Sequence, residues 1–542
     1  MQSARYRLYF RHFFYLLIAV LLLAQSHSVA RANPMRALLN AQKLPMEDVV
    51  QPLPDAAAPG AKFGAVVVYD SGGFGPGSGP YGSTASAIGD FNRDGHSDVV
   101  VVNSCQTYGS CTVGVVSILL GNGDGTFQSP VTYSSGGYIG SAVAIADLKG
   151  DGKLDLVVTN RCQSDCSEGS GPGGVSVLLG NGDGTFQPAV SYSSGGYNAE
   201  ALAIADLSND GKPDLVISQC FDENCTSGEI SVLLGNGDGT FQPLVDYSVS
   251  GGSTVIGDVN GDGIPDIVAA GYPAQVLLGN GNGTFQPPVN TPVSGWSIAL
   301  GDVNGDGKMD LVTTSYTGVT VSLGNGNGTF QTPISYTFPK YWEPDSVAIG
   351  DVNGDGKPDL VVTFDCSNLT CVPGYGLVVV MSGNGDGTFN SVFATSSGGH
   401  YATSVEIRDV NGNGKPDIVL VNSCGLTEGD KKCSASADGS IGVLLNELTI
   451  KTATHVTSSL NPSQVNQSVT FTATVVSNPS VPNGEVVTFY NGATKIGTGT
   501  TSNGVASLTT SFSTAGKYTI KASYPGDAFH NASLGTVKQV VQ

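Results

Sequence analysis

Aspartates and asparagines recur along this 542-residue chain at a spacing that could bind a hard cation. In DVNGDGKPD, residues 351–359, oxygen-bearing side chains stand at positions 1, 3, 5 and 9. The glycine at position 6 lets the chain turn sharply, and position 7 can offer a backbone carbonyl. Calcium takes roughly six to eight oxygen ligands from a flexible loop of this kind. The phrase therefore predicts a calcium site.

Two features separate this phrase from an EF-hand loop, whose first half it resembles. Position 12, where an EF-hand has glutamate, is Val362, and a predicted strand follows Asp359 directly. A calcium-binding β-hairpin loop is the better interpretation. The alternative is an ordinary Asx turn that satisfies its own backbone. Convergence of three carboxylates disfavours that alternative, because like charges repel unless a cation joins them.

Seven copies of the phrase occur, and they are not equivalent as ligand sets. Lys149 and Ser208 replace the amide at position 3 in the second and third copies, and Asn413 replaces the aspartate at position 5 in the seventh. We expect four good sites, two weaker ones and one doubtful one, so about four to seven Ca²⁺ ions per chain. The predicted ligands are Asp90, Asn92, Asp94, Asp98, Asp147, Asp151, Asp155, Asp206, Ser208, Asp210, Asp214, Asp258, Asn260, Asp262, Asp266, Asp302, Asn304, Asp306, Asp310, Asp351, Asn353, Asp355, Asp359, Asp409, Asn411, Asn413 and Asp417.

The composition excludes some classes of protein. Charged residues make up 13% of the chain, yet the net charge is −21, which argues against nucleic-acid binding. Hydrophobic residues reach 40%, too many for a disordered polymer. With 75 glycines, the chain is typical of many short strands joined by tight turns.

The acidic phrases begin 44 to 59 residues apart, a period typical of propellers, solenoids and arrays. A second phrase, GNGDGTF or GNGNGTF, follows six of them. Each unit reads as four antiparallel strands, with small residues in the first strand where blades would converge. The seventh unit lacks a fourth strand, and Ala65 to Tyr69 resembles one. We therefore predict an all-β protein with a seven-bladed β-propeller closed by that N-terminal strand.

These units resemble the FG-GAP repeats of the integrin α-subunit N-terminal propeller and the related VCBS repeats of exported bacterial proteins. The resemblance covers residues 63–446 and rests on spacing, copy number and flanking strands together. It implies calcium in some of the hairpin loops. It also implies a ligand-binding face formed by the connections between blades.

Aromatic residues occupy most of these connections, on the face opposite the acidic loops. Tyr81 belongs to this set, and the candidate ligand-binding residues are Tyr138, Tyr197, Trp296, Trp342 and Tyr401. Exposed rings among Gly and Ser suit stacking on sugars or gripping a protein partner. The alternative is that the rings pack between blades as spacers.

Ten cysteines fall into five local pairs, one pair per repeat where present. Zinc sites need two such pairs brought together or added histidines, so we favour local disulfides. The predicted pairs are Cys105/Cys111, Cys162/Cys166, Cys220/Cys225, Cys366/Cys371 and Cys424/Cys433.

The two ends of the chain predict export and a second domain. Residues 1–32 have the basic start, the short apolar core and the Ala30-Arg31-Ala32 ending of a signal peptide, with an uncleaved anchor as the alternative. Residues 33–62 read as a linker. Residues 448–542 alternate like a small β-sandwich, and AGKYTIKASYPGDAFHNAS resembles the end of a bacterial Ig-like domain. We expect a secreted or cell-surface protein without a transmembrane segment in its mature chain.

No nucleophile or metalloprotease motif accompanies the four histidines that follow the predicted signal peptide, so we predict no enzyme. The interpretation is an exported calcium-binding propeller that acts as an adhesion or carbohydrate- or protein-binding module. One alternative is a glycan-active lyase or hydrolase on the same scaffold. The other is a purely structural surface or matrix protein.

Overall fold

The computed structural model describes residues 62–542 except 75–84, 106–112, 165–170, 222–226, 250, 340–341, 366–375, 426–437, 478–479 and 528. The predicted signal peptide and nearly all of the predicted linker lie outside these residues. Regular structure within them consists of strands, β1 to β34, and includes no helix long and apolar enough to cross a membrane.

Seven four-stranded antiparallel units follow one another along the chain; six have their strands in sequence order, and the seventh takes the N-terminal strand as its fourth. β9 is long because it runs from the fourth strand of blade 2 into the first strand of blade 3, which joins those two sheets. The strands are β2–β5 in blade 1 (Ala85–Gly89, Asp98–Asn103, Val115–Leu119, Val131–Ser134), β6–β8 in blade 2 (Tyr138–Ala146, Asp155–Cys162, Pro172–Leu178), the shared β9 (Val190–Ala205), β10–β12 in blade 3 (Asp214–Cys220, Gly228–Leu233, Val245–Val249), β13–β16 in blade 4 (Thr254–Gly257, Asp266–Ala269, Gln275–Leu277, Val289–Asn290), β17–β20 in blade 5 (Ser297–Gly301, Asp310–Ser315, Gly318–Ser322, Ile334–Tyr336), β21–β24 in blade 6 (Glu343–Gly350, Asp359–Asp365, Leu377–Gly383, Phe389–Ser396) and β25–β27 in blade 7 (Gly399–Arg408, Asp417–Gly425, Asp438–Leu444).

The N-terminal strand completes the seventh blade, as predicted. β1 (Val67–Phe74) pairs antiparallel with β27, with Val67 opposite Val443 and Tyr69 opposite Ile441. The Tyr69 ring then contacts Phe127 of blade 1 edge-on, at 5.5 Å between centroids. The first and last blades are therefore joined, and closure removes the sheet edges that would invite aggregation.

The hydrophobic core of the propeller is divided into seven clusters, each shared by two neighbouring blades. The cluster between blades 7 and 1 combines Val99 and Val101 with Val419 and Val443. First strands of neighbouring blades contact one another all the way round. This contact explains the small residues there, since a Cβ on Gly301 would lie 3.1 Å from Ile349 of the next blade.

The C-terminal part is a β-sandwich of two antiparallel sheets, ordered β28-β29-β32 and β31-β30-β33-β34. Its own buried cluster includes Phe471, Phe489 and Tyr524, so it needs neither cysteine nor tryptophan to form a core. The strands are β28 (Ala453–Ser458), β29 (Val469–Val476), β30 (Val486–Asn491), β31 (Thr494–Thr500), β32 (Val505–Thr510), β33 (Gly516–Tyr524) and β34 (Ser533–Val541).

Candidate metal loops and an aromatic face

Each acidic loop connects the first and second strands of its blade and gathers the side chains of positions 1, 3 and 5. In blade 1 the Asp94 amide donates to Asp90 Oδ1 (3.1 Å) and to Asn92 Oδ1 (3.0 Å). The Gly95 amide donates to Asp90 Oδ2 at 2.9 Å. Two side-chain oxygens thus lie close to one backbone nitrogen, on one side of the turn, which leaves their remaining lone pairs available to a shared cation.

In blades 4, 5, 6 and 7 the position-5 amide likewise donates to the side chains of both position 1 and position 3. In blades 2 and 3 it donates to the side chain of position 1 alone. In blade 2 the Lys149 ammonium lies 2.8 Å from Asp151 Oδ2. That hydrogen bond lowers the pKa of the Asp151 carboxyl. Lys149 therefore brings its own positive charge to the place where the other loops could hold an ion.

The position-9 aspartates, which are also predicted ligands, accept backbone hydrogen bonds on the inner side of the loop. Asp310 is fully buried and accepts hydrogen bonds from the amides of Val303 (2.9 Å) and Gly324 (2.8 Å). Val303 is position 2 of the acidic loop, and Gly324 opens the GNGNGTF turn. One carboxylate therefore fastens the two turns of a blade together. Asp98, Asp155, Asp214, Asp266 and Asp359 make the same pair of contacts, and in blade 7 Asp417 accepts from Val410 and from Asn446, which takes the place of the glycine.

Burial raises the pKa of these seven position-9 carboxyls, against the lowering effect of the amides that they accept from. The effect is largest at Asp359, whose pKa rises to about 7. Nearby loop aspartates add to it at most of these positions, because a second negative charge disfavours ionisation.

Among the described residues, no group of three or more His, Cys, Asp or Glu side chains is placed to hold a metal ion. In blades 1, 4, 5 and 6, positions 1, 3 and 5 offer two carboxylates and one amide, a donor set that suits a hard cation with added water and backbone carbonyls. By this criterion the loops of blades 1, 4, 5 and 6 fit calcium, with positions 1, 3 and 5 as the residues that would hold it. Blade 7 offers one carboxylate fewer, through Asn413.

The phenylalanine of the GDGTF or GNGTF turn has a separate role at the border between blades. Tyr247 at the end of blade 3 contacts Phe285 of blade 4 edge-on at 5.7 Å, and its hydroxyl accepts from the Phe285 amide at 3.1 Å. Similar pairs are Tyr69–Phe127, Tyr133–Phe186, Tyr192–Phe241 and Tyr336–Phe389. The turn motif is therefore part of the interblade packing.

The predicted ligand-binding aromatics have different surroundings. Tyr138 and Tyr197 are half-buried and lie opposite Cys162 and Cys220 in the strand register, and Tyr401 is half-buried in β25. Trp342 packs against Phe364 in the core between blades 5 and 6. At Trp342 the packing alternative describes the ring well.

Trp296 belongs to a cluster that sequence analysis only half identified. Its ring lies 4.3 Å from Tyr316, and its indole N–H donates to Pro344 O at 3.1 Å, which fixes its orientation. Tyr272 is 48% exposed. Desolvation, with a contribution from Tyr316, raises the pKa of Tyr272 to about 12, so its hydroxyl stays neutral. We call Tyr272, Trp296 and Tyr316 the aromatic cluster.

Tyr272 and Tyr316 lie in the connections between the second and third strands of blades 4 and 5, residues 270–274 and 316–317. These are the shortest such connections of the seven blades and contain no cysteine. Both are at the far ends of the strands from the acidic loops, beside the interblade connection that carries Trp296. The sequence feature that could have identified these two residues is an aromatic side chain in each of the two connections that lack cysteine.

Four of the five predicted disulfides have one cysteine among the described residues, and the fifth has none. Cys105, Cys162, Cys220 and Cys424 are disulfide-bonded. The other six cysteines lie outside the described residues, so the local pairing stays a prediction. They are the predicted partners Cys111, Cys166, Cys225 and Cys433, and both members of the fifth pair, Cys366 and Cys371.

Fold and loops together define a class: a closed seven-bladed β-propeller with acidic hairpin loops, followed by an Ig-like sandwich. The model of the FG-GAP-like repeat matches residues 90–158, 165–217, 223–269, 258–313 and 302–362, and that of the bacterial Ig-like domain (group 3) matches 456–542. The chain belongs to the FG-GAP repeat proteins, which confirms the predicted family and fold class.

Integrin alpha-V of Gallus gallus is 27% identical over 208 residues, which cover 34% of this chain and 19% of that protein. The chain thus spans about a fifth of the curated relative. Two solved structures are also similar. An Agrocybe aegerita lectin, described as recognising non-reducing terminal N-acetylglucosamine, has 22% identity and a TM-score of 0.41, over 62% of this chain and 90% of the lectin. The V. cholerae biofilm matrix protein Bap1 has 15% identity and a TM-score of 0.32, over 87% and 70%.

Proposed function

We propose that the chain is an exported, calcium-binding β-propeller that acts as an adhesion module and binds extracellular glycans through the aromatic cluster. The observation that carries this proposal is the grouping of Tyr272, Trp296 and Tyr316 on one face, with Tyr272 48% exposed. Family membership and the integrin relative support a binding role in general.

Geometry favours stacking on a sugar ring over a purely structural role for these residues. The hydrogen bond to Pro344 holds Trp296, and Thr314 Oγ1 donates to Asp345 O (3.1 Å) beside it, so residues of blades 5 and 6 position the cluster. Rings held in this way lose little conformational entropy on binding, which is why aromatic anchors dominate many recognition sites. The acidic loops lie at the opposite ends of the strands, where calcium would stabilise the blades.

A glycan array with the purified protein tests the proposal, followed by titration of the best glycan. Tyr272→Ala removes an exposed ring, so we expect unchanged unfolding and binding weakened by about tenfold or more. Phe221→Ala is the matched control, because Phe221 is 59% exposed in the corresponding connection of blade 3, outside the cluster. That variant should bind like the wild type.

Intrinsic fluorescence provides a second measurement, because the chain has two tryptophans, Trp296 and Trp342. In a Trp342→Phe background, a glycan that stacks on the cluster should change the emission of Trp296. Equal binding by Tyr272→Ala and wild type, or no array signal in the presence of calcium, would reject the glycan site. Release of new reducing ends from a bound glycan would instead identify the chain as an enzyme.

A further inference from the structure

The acidic loop of blade 6 differs from the others in being covered. Asn353 and Gly354, at positions 3 and 4, are buried, whereas position 4 is exposed in the other six loops. A Cβ added to Gly354 would overlap the ring of Phe529, a residue of the Ig-like domain. The equivalent Cβ on Gly305 of blade 5 would have no neighbour within 4 Å. One loop of seven therefore lies against the C-terminal domain.

Contact with Phe529 accompanies a different side-chain arrangement inside this loop. Asn353 Nδ2 donates inward, to Asp359 Oδ1 (3.0 Å) and Ser382 Oγ (2.9 Å). In the open loop of blade 4, Asn260 Nδ2 donates across the turn to Asp262 Oδ2 at 2.9 Å. The covered loop thus has the same sequence phrase but turns its amide towards the blade.

On the Ig-like side, the segment that carries Phe529 is held in place by hydrogen bonds. Asp527 accepts from the hydroxyl of Tyr524 (2.8 Å) and from the amides of Phe529 (2.8 Å) and His530 (2.6 Å). Tyr524 is itself fully buried in the sandwich core. Phe529 is therefore presented by a braced turn and not by a free loop.

The segment between the two domains is fixed at both ends. The Asn446 amide donates to Asp417 Oδ1 (2.7 Å), and its side chain donates to Val352 O (2.8 Å) in the sixth loop. Four residues later, the Ile450 amide donates to Phe529 O (2.7 Å), and Ile450 O accepts from the Asn531 amide (2.8 Å). The Lys415 ammonium donates to Leu448 O between these points. So short a connection leaves the sandwich little freedom to move away.

We propose that the Ig-like domain is docked on the propeller in solution, with Phe529 packed on Gly354 as a cap over the acidic loop of blade 6. The two domains then move as one body. The acidic loops of the other six blades stay open to solvent. The loop of blade 6 is withheld from outside partners and from rapid cation exchange.

Hydrogen–deuterium exchange of the full protein tests this, because blades 5 and 6 provide matched amides. Gly354 and Gly305 donate to position-1 aspartates at 2.7 Å in both loops, and Gly356 and Gly307 at 2.8 Å. Since the hydrogen bonds are equal, a difference in exchange reports the cover. We expect the Gly354 amide to exchange at least about tenfold more slowly than the Gly305 amide, in calcium and in chelator alike, whereas Gly356 and Gly307, which are both exposed, should exchange alike.

Phe529→Ala should then raise exchange at Gly354 to the level of Gly305 and leave blade 5 unchanged. Leu534→Ala is the control, because Leu534 is 63% exposed on β34 and its loss should change neither loop. Continued protection of β33 shows that the sandwich of the variant is folded. Equal exchange of Gly354 and Gly305 in the wild type would overturn the proposal before any variant is made. So would slow exchange in blade 6 that persists in a folded Phe529→Ala protein.

Discussion

Replacement of Asp310 distinguishes two roles of the acidic loop, namely the hydrogen bonds that join the two turns of a blade and the binding of a metal ion. Replacement by alanine removes the acceptor for the Val303 and Gly324 amides and leaves two buried N–H groups without a partner. Each lost hydrogen bond to a charged group costs about 1.5–3 kcal/mol. Some of this is offset because burial already disfavours the ionised carboxylate. We therefore expect Asp310→Ala to lower the free energy of unfolding by roughly 3–5 kcal/mol.

Denaturant titration in excess chelator and again in calcium measures this loss. The hydrogen bonds need no ion, so most of the loss should be present in chelator. Asp306→Asn, at the exposed position 5 of the same loop, is the matched control. It should cost under about 0.5 kcal/mol in chelator and more in calcium, where a ligand is missing. A loss below about 1 kcal/mol for Asp310→Ala in chelator, or one that appears only with calcium, would refute the assigned role.

Two further predictions concern charges that sequence alone left open. Lys149→Asn removes the ammonium group that lies 2.8 Å from Asp151 Oδ2 and restores the usual position-3 amide. The number of calcium ions bound per chain, counted by native mass spectrometry, should therefore rise by one. An unchanged count would contradict the idea that the lysine takes the place of the ion. Glu406 is half-buried in β25, where burial raises its pKa to about 7 despite Arg408; its contribution to stability is therefore present below about pH 4.5 and is lost as pH rises through 7. Glu406→Gln should accordingly be more stable than wild type at pH 8, by at most about 3 kcal/mol, and equal to it at pH 4. Equal stabilities of the two proteins at both pH values in urea titrations would contradict the raised pKa of Glu406.

The sequence predicted the blade count and the closing strand because each repeat states its own local structure. An alternating apolar strand, a turn with glycine at a fixed position and a second strand need no distant information. The missing fourth strand after Leu444 and the extra strand at Val67 could be matched because each is incomplete alone. Interblade packing then followed from the small first-strand residues.

What the sequence did not predict depends on contacts between distant segments. Phe529 and Gly354 are far apart in the chain, and neither belongs to a motif that indicates a domain contact. Tyr272 and Tyr316 are single aromatics in short turns, and only the ring of blades brings them beside Trp296. Their common orientation comes from strand ends, which periodicity alone does not specify.

Blade 2 and blade 7 together show why the acidic phrase and the GDGTF phrase occur as a pair. Blade 2 replaces a predicted ligand with Lys149 yet keeps Asp155, which still accepts from Leu148 and Gly180. Blade 7 lacks the second phrase, and there the Asn446 amide donates to Asp417 at 2.7 Å in place of the missing glycine. The position-9 contact thus persists where the ion-binding set is altered and where the turn is absent. The position-9 hydrogen bonds are therefore common to all seven blades, whereas the cation binding that we propose would depend on the side chains that each loop offers at positions 1, 3 and 5.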